Sequence, residues 1–140
     1  MSVCRFKTLA PVPIKPDVTV LLVDDEASVR QFVRRTLENA GYTVLEATNP
    51  HEALRLLEPI AGLVDLVLTD VMMPGMSGRL MAERLVNRYP GLRMLFMSGN
   101  DEIVRLVNAR EGQAAILLKP FTPSMLIDRV SRMLDVREAA

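Results

Sequence analysis

Residues 18–25 read VTVLLVDD, a run of six mostly apolar positions that ends in two adjacent aspartates. A strand that is apolar at nearly every position is typical of a parallel sheet with helices on both faces. Helical periodicity follows directly, because Val29, Val33 and Leu37 share one stripe that stops before Gly41. The stretch therefore predicts a buried strand followed by a covering helix.

The same alternation of strand and helix repeats along the chain. The predicted strands are Val18–Asp24, Tyr42–Ala47, Val64–Asp70, Leu92–Ser98 and Ala114–Leu118. The predicted helices span about 26–40, 50–58, 77–88, 101–109 and 123–136. Five such pairs predict an α/β fold with a doubly wound, five-stranded parallel sheet. Right-handed crossovers favour the flavodoxin-like strand order 2-1-3-4-5, with helices on both faces.

Length and composition fit one domain preceded by a tail. The chain has 140 residues, of which 49% are hydrophobic and 24% charged, as in a globular domain with a substantial core. Residues 1–16 contain three prolines and no apolar periodicity. We therefore expect a tail or linker over residues 1–16, a domain over 17–137 and a short C-terminal tail over 138–140.

The charge pattern argues against several classes of partner. The net charge is zero, divided into +3 over residues 1–16 and −3 over the rest, so there is no basic surface for nucleic acid. No apolar run approaches the ~20 residues that a membrane span needs. The N-terminus also lacks the apolar centre of a signal peptide. We therefore expect a cytoplasmic protein that binds neither nucleic acid nor membrane directly.

Polar residues stand where the predicted strands end. Asp24 and Asp25 follow the first strand, Asp70 ends the third, Ser98 ends the fourth and Lys119 follows the fifth. Ligands of open α/β sheets bind at this edge, and the predicted order makes strands one and three neighbours. Three converging carboxylates repel each other unless one is protonated or a cation binds. Oxygen ligands beside a phosphate suit Mg²⁺, and an ammonium and a hydroxyl suit a phosphoryl group.

Each of these residues has an ordinary structural role when taken alone. An aspartate or serine after a strand commonly caps the next helix, and a lysine at a strand end is commonly solvated. Their occurrence together at four strand ends instead favours a site for phosphoryl transfer to a carboxylate.

Four ordered motifs resemble those of response-regulator receiver domains. They are LVDDE at 22–26, TDVMMP at 69–74, MSG at 97–99 and KPF at 119–121, and the resemblance covers about residues 18–136. It implies a signalling domain rather than an enzyme that turns over a separate substrate. In this family a phosphoryl group passes from a phosphohistidine to an aspartate in a Mg²⁺-dependent reaction, and the conformational change that follows is the signal.

The resemblance also implies a role for each acid. Asp70 matches the phosphoacceptor. Asp25 matches the acid that binds Mg²⁺ directly, and Asp24 contributes through water. Asp70 and the backbone carbonyl of Met72 complete the implied ligands of the metal.

Two further positions match residues that contact the phosphoryl group, and a third departs from the family. Ser98 matches the hydroxyl residue that reorients, and Lys119 matches the pairing lysine, whose bond to Pro120 corresponds to a cis peptide. The switch position three residues before that lysine usually carries Tyr or Phe, but here it is Ile116. We therefore expect an output through backbone shifts around Ser98 and the following helix, or through a partner that senses the phosphate locally.

The positions that flank the phosphoryl group in the family are Met72 and Asn100 in this chain. Neither side chain is acidic or basic, so neither is suited to activate water as a base. We therefore predict that hydrolysis of the phosphorylated form is neither fast nor directly assisted.

The implied partners are a histidine kinase or a histidine phosphotransfer protein as donor, and a downstream protein or domain in trans. The chain fits a stand-alone relay or the receiver part of a hybrid histidine kinase. The linker-like residues 7–16 and the MSG run favour the hybrid kinase. The sequence leaves open whether the domain forms a homodimer.

Two other functions fit a similar fold. A flavodoxin-like electron carrier needs a loop rich in glycine and hydroxyls to hold the FMN phosphate, whereas residues 24–28 read DDEAS. A colourless purified protein would exclude it. A hydrolase that resembles haloacid-dehalogenase-type phosphatases needs a second acid two residues after Asp70, where Met72 stands. Absence of turnover on small phosphate esters would exclude that alternative.

Overall fold

The computed structural model describes residues 18–71, 78–99 and 114–139, without the side chains of 78–79 and 135–139. The predicted tail over 1–16 and the predicted helix over 101–109 lie outside these ranges. The five strands are β1 (Thr19–Val23), β2 (Thr43–Ala47), β3 (Leu66–Asp70), β4 (Arg93–Ser98) and β5 (Ala114–Leu118). They form one sheet in the order β2-β1-β3-β4-β5, and every neighbouring pair is parallel. The predicted strand order is therefore confirmed.

The described helices are α1 (Ala27–Asn39), α2 (Pro50–Ile60), α3 (Gly78–Arg88) and α4 (Pro123–Ala139), and a 3₁₀ turn over Ala61–Leu63 follows α2. They cover both faces of the sheet. Alternate strand residues such as Leu21 and Phe96 pack on one face, in a cluster with α2 and α3. Their neighbours Leu22 and Met97 pack on the other face, in a cluster with α1 and α4. Burial on both faces explains why the strands are apolar at nearly every position.

Local signals end and begin the helices next to the sheet. Gly41 follows the end of α1 by two residues and adopts a φ of 100°, in the left-handed region that glycine enters without strain. This conformation stops the helix from continuing. At the start of α2, the Asn49 side chain accepts a hydrogen bond from the Glu52 N–H at 2.8 Å. Glu52 in turn accepts one from the Thr48 N–H at 2.6 Å. The predicted N-cap at Asn49 is therefore confirmed.

Two helices are longer than predicted. Helix α2 continues through Pro59 to Ile60, where the pattern had suggested an end near Glu58. Ile60 packs against the core, and this contact offsets the single backbone hydrogen bond that the proline removes. Helix α4 continues beyond Val136 to Ala139, because residues 136–139 contain no glycine or proline to stop it.

Strand β5 is an outer strand, and its position is set by β4 and α4. The Lys119 N–H donates to the Ser98 carbonyl at 2.9 Å, which continues the β4–β5 pairing past the end of the strand. On α4, the Arg129 guanidinium donates to the Ile116 carbonyl. Among the residues that the structure describes, no helix is both long enough and apolar enough to cross a membrane.

Candidate functional site

Asp24 is held in a fully buried position just after β1, with none of its surface exposed. Its N–H donates to the Ala47 carbonyl at 3.2 Å, which extends the β1–β2 pairing by one residue. Its Oδ1 accepts the Glu26 N–H at 2.8 Å, at the start of α1. Its Oδ2 is buried and has no hydrogen-bond partner among the residues that the structure describes. A buried carboxylate oxygen is costly unless it is paired, so this atom is suited to hold a cation or a water bound to one.

The structure brings together the three predicted acids. Asp24, Asp25 and Asp70 each offer an oxygen within 4.8 Å of the others. Asp70 is the last residue of β3 and is 8% exposed, whereas Asp25 lies at the surface. The parallel pairing of β1 with β3 places their carboxyl ends side by side, which explains this meeting.

Burial raises the pKa of the Asp24 carboxyl above its ordinary value of 3.8. The negative charges of Asp70 and Asp25 raise this pKa further, while the Glu26 N–H and the Lys119 ammonium act in the opposite direction. The acids therefore repel one another in the absence of a cation.

This donor set fits a divalent metal. Carboxylate oxygens are the ligands that Mg²⁺ prefers, and one or two of them are commonly combined with water and phosphate. A cation at the cluster would offset both the burial of Asp24 Oδ2 and the crowding of three negative charges. The resemblance to receiver domains implies a Mg²⁺ site of this kind.

Lys119 and Ser98 complete the same edge of the sheet. The Lys119 Nζ lies 3.3 Å from Asp70 Oδ2, and its side chain is about one-third exposed. Ser98 ends β4 and is 7% exposed. In the sheet, Asp70 of β3 is paired with Met97 of β4. Ser98 is the next residue of β4, so it lies beside the end of β3. The Lys119–Pro120 bond is cis, as the resemblance implied.

Three other residues that the sequence analysis singled out have different outcomes. Met72, whose carbonyl is a predicted metal ligand, lies outside the described residues, as does Asn100. Ile116 is half-buried in β5 and packs against the core cluster that contains Phe96. An aliphatic side chain therefore occupies the switch position.

The sequence analysis did not predict the contact of Arg30 with the backbone at Asp24. The Arg30 Nη1 donates to the Asp24 carbonyl at 2.8 Å, and its Nε donates to Glu46 Oε1 at 3.0 Å. Arg30 and Glu46 are 16 positions apart, so helical spacing could not have paired them. The available signal was a cation in the first turn of α1 and an acid in an otherwise apolar strand.

Comparison with known proteins gives a consistent family. The family model described as the response regulator receiver domain matches residues 20–131. Sensor kinase CckA of Brucella abortus (strain 2308) is 38% identical over 122 residues, which are 86% of this chain and 13% of that protein. The phosphate regulon transcriptional regulatory protein PhoB of Pseudomonas aeruginosa is 35% identical over 121 residues, covering 83% of this chain and 51% of that protein. The chain therefore spans about half or less of the length of these relatives.

Solved structures agree with this result. The chemotaxis response regulator CheY4 of Vibrio cholerae has a TM-score of 0.74 and 30% identity, with 84% of this chain and 98% of that chain covered. The receiver domain of the hybrid histidine kinase CckA has a TM-score of 0.70 and 34% identity, with 83% and 98% covered. On its fold, its family model and these relatives, the chain belongs to the response regulator receiver domains of two-component systems.

Proposed function

We propose that this receiver domain takes a phosphoryl group from a phosphohistidine donor onto Asp70 in a Mg²⁺-dependent reaction. The observation that carries the proposal is the group of three carboxylates within 4.8 Å of one another, with Lys119 3.3 Å from Asp70. Phosphoryl transfer needs charge neutralisation and positioning more than covalent chemistry from the protein. This edge of the sheet supplies both.

In the proposed step, an Asp70 carboxylate oxygen attacks the phosphorus atom and forms the new P–O bond. The P–N bond to the donor imidazole breaks, and its electron pair stays on the imidazole nitrogen, which takes a proton from solvent. The Lys119 ammonium stabilises negative charge on the phosphoryl oxygens, and the Ser98 hydroxyl donates a hydrogen bond to one of them.

Asp25 and Asp70 would hold Mg²⁺ directly, Asp24 would hold it through water, and the Met72 carbonyl would be the remaining protein ligand. The bound ion neutralises negative charge shared by the acids and the phosphoryl group. Asp24 contributes mainly through placement, because it is buried and its backbone is bonded to β2.

The proposed partners follow from this chemistry. The donor is a histidine kinase or a histidine phosphotransfer protein, and a downstream protein or domain reads the phosphorylated state. The similarity to sensor kinase CckA favours the receiver part of a hybrid kinase over a stand-alone relay. With Ile116 in place of an aromatic ring, we propose that the output uses backbone shifts near Ser98. Whether the domain forms a homodimer stays open, and a cytoplasmic location stays a prediction.

The test is labelling by a radioactive small phosphodonor, such as acetyl phosphate, in MgCl₂ and in EDTA. Wild type and Asp128→Asn, a control at an exposed acid on α4, should both be labelled in MgCl₂. Asp70→Asn should not be labelled in either condition, and EDTA should abolish the labelling of wild type and Asp128→Asn. Equal labelling of Asp70→Asn and wild type would overturn the proposal.

A further inference from the structure

Arg30 connects the backbone at Asp24 to β2, a strand that contributes no residue to the site. Its Nη1 donates to the Asp24 carbonyl at 2.8 Å, and its Nε donates to Glu46 Oε1 at 3.0 Å. Glu46 lies in β2, next to Ala47, whose carbonyl accepts the Asp24 N–H. One guanidinium therefore connects the first turn of α1, the end of β1 and the end of β2.

Glu46 keeps the Arg30 guanidinium in place. The Arg30 and Glu46 side chains are only 19% and 26% exposed, so their attraction is less screened than that of a surface pair. Glu46 also accepts a hydrogen bond from Arg34, one helical turn further along α1, and Arg34 pairs in addition with Glu38 at 3.0 Å. A planar guanidinium with two contacts on different nitrogens has little orientational freedom.

The Arg30 contact is the third hydrogen bond that restrains Asp24. The Asp24 N–H is bonded to Ala47, its carbonyl to Arg30, and its Oδ1 to the Glu26 N–H. The Asp24 carbonyl belongs to the peptide group that links Asp24 to Asp25, so Arg30 restrains the orientation of both acids. Without this restraint, their mutual repulsion would favour separation of the two carboxylates.

We propose that Arg30 is a positioning residue for the phosphoryl-transfer site, holding the Asp24–Asp25 peptide so that the two acids are preorganised for Mg²⁺. This inference rests on the proposed function. Arg30 reaches the cluster through a backbone carbonyl rather than a carboxylate, so its effect is on geometry. Residues that orient metal ligands in this way commonly change metal affinity by about 10–100-fold when replaced.

The test compares Arg30→Gln with Arg34→Gln. Both variants lose one arginine of α1 that binds Glu46, but only the first loses the bond to the Asp24 carbonyl. MgCl₂ is titrated while the backbone amide NMR signals of Asp24 and Asp25 are followed. Arg30→Gln should weaken Mg²⁺ binding by about tenfold, and Arg34→Gln should change it by less than about twofold.

A second measurement separates positioning from loss of folding. Labelling by acetyl phosphate bypasses any docking of a donor protein on α1. Arg30→Gln should label slowly at low MgCl₂ and approach the wild-type rate when MgCl₂ is saturating. A general loss of folded protein would lower the rate at both concentrations. Thermal unfolding in EDTA shows whether the two variants are comparably stable.

The outcomes distinguish this inference from the proposed function. Equal Mg²⁺ affinities in Arg30→Gln and Arg34→Gln, or a labelling rate that saturating MgCl₂ does not restore, would overturn the positioning role alone. Wild-type protein that neither binds Mg²⁺ nor becomes labelled would instead overturn the proposed function.

Discussion

The carboxyl ends of β1 and β5 contribute to the same site in different ways. At the β1 end, Asp24 is fully buried and held by three hydrogen bonds. At the β5 end, Lys119 has its backbone bonded to Ser98, but its side chain is about one-third exposed and contacts Asp70 at 3.3 Å. The buried carboxylate of Asp24 is therefore held by more contacts than the partly exposed ammonium of Lys119.

This difference suggests that the two strand ends have separate functions, one in Mg²⁺ binding and the other in phosphoryl transfer. A binding site for a small ion benefits from rigid ligands, because repulsion among them must be overcome before the ion arrives. A group that follows a phosphoryl oxygen during transfer benefits from a flexible stem, and lysine provides one. We therefore expect the β1 end to govern Mg²⁺ affinity and the β5 end to govern the rate of phosphoryl transfer.

The largest expected effect is that of Lys119→Met. Loss of the ammonium removes a stabilising charge from the transferring phosphoryl group, so labelling by acetyl phosphate should fall by about a hundredfold. Mg²⁺ affinity should not fall, because the variant removes a positive charge that competes with the ion. Lys15→Met, in the predicted tail, is the matched control. A weakened Mg²⁺ affinity in Lys119→Met would contradict the division between the two ends.

Asp24→Asn should have a smaller effect than Lys119→Met, and that effect should be on Mg²⁺ affinity. Mg²⁺ affinity should decrease by about tenfold, as expected when a residue that supports the metal is replaced. In EDTA, the free energy of unfolding should instead increase by about 1–2 kcal/mol, because a buried charged oxygen that no described residue hydrogen-bonds becomes part of a neutral amide. Chemical denaturation with and without MgCl₂ measures both effects, with Asp128→Asn as an exposed control.

The stability gain of Asp24→Asn should depend on pH. Because the folded-state pKa of Asp24 is raised above 3.8, the stability contributed by its protonated form is complete below pH 3.8 and is lost as the pH rises through the raised value. In EDTA, the advantage of the variant over wild type should therefore grow as the pH rises from 3.8 through the raised pKa of Asp24. A difference that stays constant over this interval would show that burial does not raise the Asp24 pKa.

The smallest expected effect is that of Ile116→Val. Ile116 is half-buried against the core, so loss of one methylene should lower the free energy of unfolding by about 1 kcal/mol. Backbone shifts near Ser98 on addition of a phosphoryl mimic should persist in the variant, as measured by amide NMR. Loss of those shifts would show that the Ile116 side chain itself transmits the signal.

Much of the fold and site could be predicted from the sequence because each signal was local. Apolar strands that end in Asp24, Asp70 and Ser98 needed only the periodicity of the chain to be recognised. The meeting of the acids then followed from the strand order, since parallel strands have their carboxyl ends on the same edge.

The features that could not be predicted depend on tertiary placement. The contact of Arg30 with Glu46 requires the rotation of α1 over β2, which periodicity does not determine. The extension of α2 through Pro59 depends on how Ile60 meets the core. Met72, the predicted helix over 101–109 and the predicted tail over 1–16 lie outside the described residues, so these features stay predictions.

The Arg129–Ile116 contact has a consequence for association between chains. Hydrogen-bonding directions alternate along a strand, so the Lys119 N–H bond to β4 implies that the Ile116 carbonyl points away from β4. An outward carbonyl on an outer strand can accept an additional strand from another molecule and seed aggregation. Arg129 occupies this acceptor with a charged side chain. The last helix therefore obstructs the pairing of an added strand at the Ile116 position of β5.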